Sequence, residues 1–488
     1  MRKAALHNLG CKVNAYETEA MQQLLEEAGY EIVSFQDQAD VYVINTCSVT
    51  NVADKKSRQM LHRAKKMNPD AVVVAAGCYV QAAAEELKKD LSVDVIIGNN
   101  KKKDLVPILE SYFAEREKES QQKSQQKNQS TQISQNTQDA DALNLQNGVE
   151  NGENEENTGD SNENPKEHLA EDHVIEIGKT KEYEELKLHH TGEHTRAFLK
   201  VQDGCNQFCS YCIIPYTRGR VRSRRPEDVE REVRELAEAG YQEIVLTGIH
   251  LSSYGLDFPE EERQTLLDLI LRLEKVEKIK RIRLGSLEPR IVTEEFAKAL
   301  ASSEKICPHF HLSLQSGCDE TLKRMNRRYD TAEYREKCEI LRRAFTNPAI
   351  TTDVIVGFAG ETEEEFAQTK SFLEEIGFYE MHIFKYSRRA GTRAAVMPNQ
   401  VSDQIKARRS DVLLELEKRQ SLDYRKSFLG KEEEVLLEEE TTIGGVTYLT
   451  GYTKEYVKVA YPAELGARNM LVRGQLVEML TDEILLMR

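Results

Sequence analysis

Residues 200–225 read KVQDGCNQFCSYCIIPYTRGRVRSRR. Cys205, Cys209 and Cys212 fall within eight residues, directly after an apolar run at 197–202 that reads as a strand. Three thiolates on one loop can hold one metal centre, and their number is informative. A [4Fe–4S] cube normally takes four thiolates, one per iron, so three leave one iron open to a substrate or cofactor. The alternative is zinc, but structural zinc is closed by four ligands, and no fourth Cys or His stands beside this loop.

Downstream of the loop, apolar runs recur at 243–247, 281–284, 309–314, 353–356 and 382–386, with helical patterns such as 226–239, 294–300 and 363–376 between them. With the first strand they make six βα units, two short of a closed eight-stranded barrel, so an open partial (β/α)6 barrel is expected over 191–427. Upstream, strand-like runs at 4–9, 40–44, 71–76 and 93–97 alternate with helical patterns at 17–28, 51–67 and 81–89. That rhythm predicts a doubly wound parallel sheet over 1–116. From about residue 430 the pattern changes to short alternating strands, with a turn at Gly444-Gly445, which predicts a small all-β barrel over 428–488.

Between the first two blocks the composition collapses. Residues 121–165 hold eight acidic and two basic residues, and no aromatic occurs from 114 to 182. Such a stretch buries too little apolar area to offset chain entropy, so 117–190 is expected to be a disordered acidic Gln/Asn-rich insert. The whole chain has 488 residues, nine cysteines and a net charge of −16. Nine thiols without a secretory leader point to the cytoplasm rather than to a disulfide framework. The absence of long apolar runs predicts no membrane partner, and the acidic balance argues against a generic nucleic-acid or DNA binder without excluding local basic patches.

A second set of thiols is dispersed. Cys11, Cys47 and Cys78 each follow a predicted strand of the first block. Ligands gather outside the carboxyl ends of strands in a doubly wound sheet, so these three can converge. Position alone leaves open that they are unrelated small buried residues. Cys307, Cys318 and Cys338 lack this pattern and read as packing. Three runs of arginine also follow barrel strands: Arg218, Arg220, Arg222, Arg224 and Arg225; Lys323, Arg324, Arg327 and Arg328; and Arg388, Arg389 and Arg393. Such runs are either solvated charged faces or phosphate-binding patches, and their place beside a cysteine loop and with a small β-barrel favours RNA phosphates, with Arg218 or Arg220 alternatively packed beneath a metal centre.

The Cys-x3-Cys-x2-Cys loop opening a βα barrel resembles the radical S-adenosylmethionine (SAM) superfamily. Apart from the insert, the chain is similar to the methylthiotransferases, which add an N-terminal cluster domain and a C-terminal TRAM domain. The resemblance implies two [4Fe–4S] clusters, on Cys11/Cys47/Cys78 and on Cys205/Cys209/Cys212, with SAM on the second. It places SAM contacts at Gly248, Ser286, Glu288 and Gln315. Within the family, GCKVNAYETEA, NTCSVTNVADKKSRQ, HFHLSLQSGCDETLKRMNRRYD and KYSRRAGTRAAVMP look most like the branch acting on N6-threonylcarbamoyladenosine (t6A) at tRNA position 37. The isopentenyladenosine branch tends to have GCQMN-like segments, and the branch modifying a ribosomal protein has GCPKN. Ala359 departs from the family's usual proline.

The implied activity is radical sulfur insertion at adenine C2 followed by SAM-dependent methylation, with tRNA as partner beside an electron donor and a sulfur source. Two enzyme alternatives are an isopentenyladenosine or a protein substrate. The non-enzyme alternative is an iron–sulfur RNA-binding sensor.

Overall fold

In the first block, side-chain alternation along each strand sorts the apolar residues onto two faces. The computed structural model describes residues 1–144, 169–188 and 195–488. Strands β1 (Lys3–Asn8), β2 (Glu31–Ile32), β3 (Val41–Thr46), β4 (Val72–Gly77), β5 (Val95–Ile97) and β6 (Glu171–His173) form one parallel sheet in the order β2-β1-β3-β4-β5-β6. Ala5, Tyr42, Ile44, Val73 and Ala75 face one core with Leu61 and Leu87. Their neighbours Ala4, Val41, Val43, Val72 and Val74 face another with Met21, Leu25 and Leu105. Helices α1 (Lys12–Glu27) and α4 (Leu105–Asn144) cover the second face, and α2 (Asn51–Met67) and α3 (Cys78–Leu87) the first. The sheet is doubly wound, as the near-continuous apolar strands require.

The expected disorder of 117–190 needs correction. Helix α4 carries on to Asn144. Residues 169–188 pack: β6 pairs in parallel with β5, and Leu186 and Leu188 are buried against Tyr16 and Ala20 of α1. The Tyr16 hydroxyl donates to the Leu186 carbonyl, and Tyr183 Oη donates to the Lys200 carbonyl at 2.7 Å. A few apolar residues suffice here because each enters an existing core, which average composition does not register. Residues 145–168 and 189–194 of that expectation lie outside the described residues. Removing a buried leucine side chain costs about 2–5 kcal/mol. The double variant Leu186→Ala/Leu188→Ala should therefore unfold at clearly lower denaturant than the native protein; an unchanged midpoint would show that this strap contributes nothing.

The second block opens with β7 (Arg196–Asp203), short α5 (Ile214–Thr217) and β8 (Arg222–Ser223), which pairs antiparallel with β7. It continues through α6 (Pro226–Glu238), β9 (Glu243–Gly248), α7 (Leu266–Leu273), β10 (Arg281–Leu284), α8 (Glu294–Ala301) and β11 (His309–His311). Then come α9 (Asp319–Arg324), α10 (Thr331–Ala344), β12 (Ala349–Val356), α11 (Glu363–Ile376), β13 (Glu380–Lys385) and α12 (Asp403–Lys426). Strands β7, β9 and β10 pair in parallel, as do β11, β12 and β13. Parallel bridges Ile282↔Ile306 and Leu287↔Leu312 join the two halves. Six parallel strands thus make the open partial barrel read from the sequence.

The C-terminal strands β14 (Glu432–Ile443), β15 (Val446–Tyr452), β16 (Lys458–Pro462), β17 (Leu471–Met479) and β18 (Leu485–Met487) close a barrel in the order β14-β15-β16-β18-β17. Gly444 and Gly445 turn β14 into β15, with Ile443 paired to Val446. Arg281 and Arg283 on β10 donate to the carbonyls of Glu434, Tyr452, Thr453 and Lys454, tying this barrel to the larger one. Among the described residues, no helix is long and apolar enough to cross a membrane.

Candidate active site

Cys11 caps α1 after β1, Cys47 follows β3, and Cys78 opens α3 directly after β4. The strands are adjacent in the sheet, so their carboxyl ends bring the three cysteines together. Gly10, at φ +110°, makes the approach possible: a Cβ there would lie 2.8 Å from Cys47 Sγ. Burial pushes Cys47 up to about 11, and charges on Cys78 and Cys11 add to the rise.

The other set sits on the loop between β7 and α5. Gly204 holds that loop tight, since at φ +70° its missing Cβ would fall 1.8 Å from the Arg220 carbonyl oxygen. The Cys212 amide donates to the Cys209 carbonyl and the Cys205 amide to the Gly219 carbonyl, both at 3.0 Å. Burial raises Cys205 to about 11 and Cys212 to about 12. Such thiols lose their protons to a metal centre rather than to bulk water.

Each set receives one guanidinium. Arg218 Nε donates to Cys78 Sγ at 3.2 Å, and Arg327 Nη1 to Cys209 Sγ at 3.2 Å. Spacing bears on what the sets hold. Thiolates around one zinc ion at about 2.3 Å lie about 3.8 Å apart. Among the described residues, the group whose three ligand atoms all fall within 4.8 Å of one another is His311, Asp353 and His382, so neither cysteine set is that tight. Wider spacing suits a multi-iron cluster with one iron per thiolate.

The arginine reading changes most. Arg218, Arg222 and Arg224 are buried and unable to track phosphates. Arg218 Nη1 donates to Glu17 at 2.8 Å and to Asp203 at 3.2 Å, and Nη2 donates to Asn14 at 2.6 Å. Lys102 and Lys200 close the same buried network on Glu17 at 2.9 and 2.7 Å. Burial would raise the Glu17 carboxyl, but Arg218, Lys102 and Lys200 hold it well below the usual carboxylate range. Arg222 Nη1 donates to the Arg218 carbonyl at 2.8 Å, and Arg224 pairs with Glu185 and Glu232. The physical reason is β8: pairing with β7 turns this stretch inward beneath residues 169–188.

In the other runs, Arg327 is half-buried on its thiol, Arg324 pairs with Glu365, and Arg389 is buried against Asp54. Arg220, Arg225 and Arg328 are exposed, although Arg225 pairs with Glu262 at 2.6 Å. Arg220 lies over the Phe208 ring at 4.8 Å.

The four residues expected near SAM fall at the carboxyl side of successive barrel strands. Gly248 ends β9 against Gln202, Ser286 is exposed after β10, and Glu288 accepts from Arg290 Nε at 2.8 Å. Gln315 follows β11 with a left-handed backbone at φ +73°. For a non-glycine residue that conformation is costly and clusters at functional sites. Sequence reasoning missed Asn14, Glu17, Lys102, Lys200 and Asp203. The available signal was Lys200, a charge between Leu199 and Val201 in a stretch that reads as a buried strand.

An open βα barrel with three cysteines at the mouth of its first strand defines a radical SAM enzyme. The radical SAM superfamily pattern matches residues 199–373, and the uncharacterized protein family UPF0004 pattern matches residues 3–98. Threonylcarbamoyladenosine tRNA methylthiotransferase MtaB of Bacillus subtilis (strain 168) is 38% identical, covering 99% of this chain and 98% of the relative. Its namesake in Aquifex aeolicus (strain VF5) is 37% identical over 94% of this chain and 98% of that protein. A tRNA-2-methylthio-N(6)-dimethylallyladenosine synthase of Thermoanaerobacter sp. (strain X514) is 34% identical over 89% of this chain and 81% of that protein. Among solved structures, the radical S-adenosylmethionine methyltransferase TsrM from Kitasatospora setae shares the fold, with a TM-score of 0.52 at 12% identity over 81% of this chain and 75% of that one. The chain belongs to the radical SAM tRNA methylthiotransferases. It is an enzyme that uses SAM and [4Fe–4S] clusters to modify tRNA.

Proposed function

We propose that the enzyme converts t6A at position 37 of tRNA to its 2-methylthio derivative, with one cluster on Cys11/Cys47/Cys78 and a SAM-binding cluster on Cys205/Cys209/Cys212. The adenine C2–H bond is unactivated, and a [4Fe–4S] cluster with SAM supplies the one-electron chemistry that polar side chains lack. The chain's own residues then have three tasks. Arg218 and Arg327 donate to one sulfur of each set and fix its orientation. Gly248, Ser286, Glu288 and Gln315 line the barrel mouth where SAM would lie. The buried Glu17–Arg218–Asp203 network locks α1 to β7, which sets the two clusters at a fixed separation. In this reading Arg220, Arg225 and Arg328, with a TRAM-like C-terminal barrel, form the tRNA surface; an electron donor and a sulfur source complete the reaction in the cytoplasm.

One observation favours t6A over isopentenyladenosine. Lys12, beside Cys11, has no hydrogen-bond or ion-pair partner among the described residues, and its side chain is exposed. Crowding by surrounding protein atoms and the charges of Arg196 on β7 and Arg283 on β10 lower its pKa, although solvent still reaches it; both arginines already have carboxylate partners, Glu438 and Glu243, which leaves Lys12 as the cation without one in this group. The threonylcarbamoyl group carries a carboxylate, whereas the isopentenyl group carries none. An ion-assisted hydrogen bond contributes about 1.5–3 kcal/mol, or roughly ten- to a hundredfold in kcat/KM. Lys12→Gln should lose that much on t6A-tRNA, chiefly through KM. The reading as a whole is tested by nucleoside mass analysis of tRNA from a strain lacking the enzyme. Loss of 2-methylthio-t6A is expected, and loss of the 2-methylthio isopentenyl nucleoside instead would overturn it.

A further inference from the structure

Strands β11, β12 and β13 present one apolar and one polar face. Phe310, Leu312, Ile350, Val354 and Met381 belong to the core beneath the outer helices. Their alternates His311, Asp353 and His382 lie on the opposite face, toward the barrel interior. Asp353 is paired in register with His382, and His311 with Thr351, two residues before Asp353. The three ligand atoms all fall within 4.8 Å of one another. We infer that His311, Asp353 and His382 form a site for a single divalent transition-metal ion, separate from both cysteine sets.

Three features go beyond proximity. His311 Nε2 stands 3.3 Å from Asp353 Oδ2, yet Nε2 makes no hydrogen bond, so the direction is wrong for an N–H···O contact. Donors about 2.1 Å from a shared cation lie about 3.0 Å apart when cis in an octahedron and about 3.4 Å apart in a tetrahedron. The observed separation falls between the two. Next, His311 Nδ1 lies 3.0 Å from Thr351 Oγ1. With Nδ1–H donating to that hydroxyl, the ring proton stays on Nδ1 and Nε2 is free to ligate, the usual outer support of a metal-binding histidine. Finally, the His311 and His382 rings stack at 5.8 Å and 24°, and His382 is exposed, so a side-chain rotation is free to close the remaining gap.

Two imidazoles and one carboxylate select zinc, iron(II), cobalt or manganese over magnesium or calcium. Three protein ligands also leave coordination positions open, as in catalytic rather than structural sites. Those positions face the barrel interior, where water or an oxygen of a bound nucleoside would fill them. The inference does not depend on which nucleoside the enzyme modifies.

Manganese(II) is the probe, because thiolates compete for it poorly and oxidised [4Fe–4S] clusters do not obscure its EPR signal. Anaerobic enzyme with both clusters in place should remove one Mn2+ per chain from the free-ion signal, and zinc should displace it, as the order of divalent affinities requires. His382→Ala is the gentlest variant, since that side chain is exposed; it should weaken binding at least tenfold with iron content unchanged, and Asp353→Asn should do the same. Absence of Mn2+ uptake by the native enzyme would overturn the inference. So would equal uptake by His382→Ala, which would assign the ion to the acidic surface.

Discussion

Changing Cys205, Cys209 and Cys212 together to alanine is expected to leave about half of the iron and to abolish SAM cleavage. On the proposed ligand assignment, two cubane clusters bring about eight irons per chain, four on each cysteine set. The loop's fold does not rest on its sulfurs: it is held by the Cys205–Gly219 and Cys209–Cys212 backbone contacts and by Ser210, whose amide donates to the Met325 carbonyl. The variant should therefore keep native secondary structure and the iron of the other set. The complementary change at Cys11, Cys47 and Cys78 should also halve the iron but leave SAM cleavage measurable, because the barrel set stays whole. Iron analysis with 5′-deoxyadenosine release separates the two variants. Full iron retention in the first would refute the ligand assignment, and equal loss of SAM cleavage in both would merge the two sites into one.

The difference between what the sequence revealed and what it concealed has a physical basis. Strand–helix alternation and the clustered Cys205, Cys209 and Cys212 are local patterns, written in neighbouring residues. The convergence of Cys11, Cys47 and Cys78 was accessible too, because a parallel sheet sends every strand end to the same edge. Arginine is different. A run such as RGRVRSRR carries charge but not the location of its partners. Arg218 finds Glu17 at a separation of 201 residues, and Arg389 finds Asp54 at 335. Both pairs cross between the N-terminal sheet and the barrel, so neither belongs to a local pattern. The residues 169–188 were concealed for the opposite reason. Their surroundings are polar, yet Ala170, Leu186 and Leu188 fill places in cores made by other segments.

Arg218 is the position where these arguments meet, and Arg218→Ala should be the most damaging single change outside the cysteines. Its guanidinium is fully buried between Cys78 on one side and Glu17 and Asp203 on the other. Removing one partner of a buried charge network leaves the others uncompensated and costs about 3–5 kcal/mol. Lys102 and Lys200 still face Glu17, and Lys200 still faces Asp203, so the barrel itself should survive. The loss falls on the junction: α1 keeps Lys200 as a charged link to β7 but loses the Arg218 bridge to Asp203, and Cys78 loses its charged donor. Iron should drop toward half, from the N-terminal set, while SAM cleavage by the barrel set persists and limited proteolysis begins between the two domains. Arg218→Lys should recover little, because one ammonium cannot donate to Cys78, Glu17 and Asp203 together as a planar guanidinium does. The Glu17 and Asp203 carboxyls are both held below their ordinary range, so the network's contribution is complete above about pH 5 and fades only as acid protonates them. Neutral-pH assays therefore read the intact network. A phosphate-contacting arginine would behave otherwise: its loss would flatten the salt dependence of tRNA binding by about one in the log–log slope and leave iron untouched. That outcome would return Arg218 to the RNA surface and remove the coupling between the two clusters that its buried position implies.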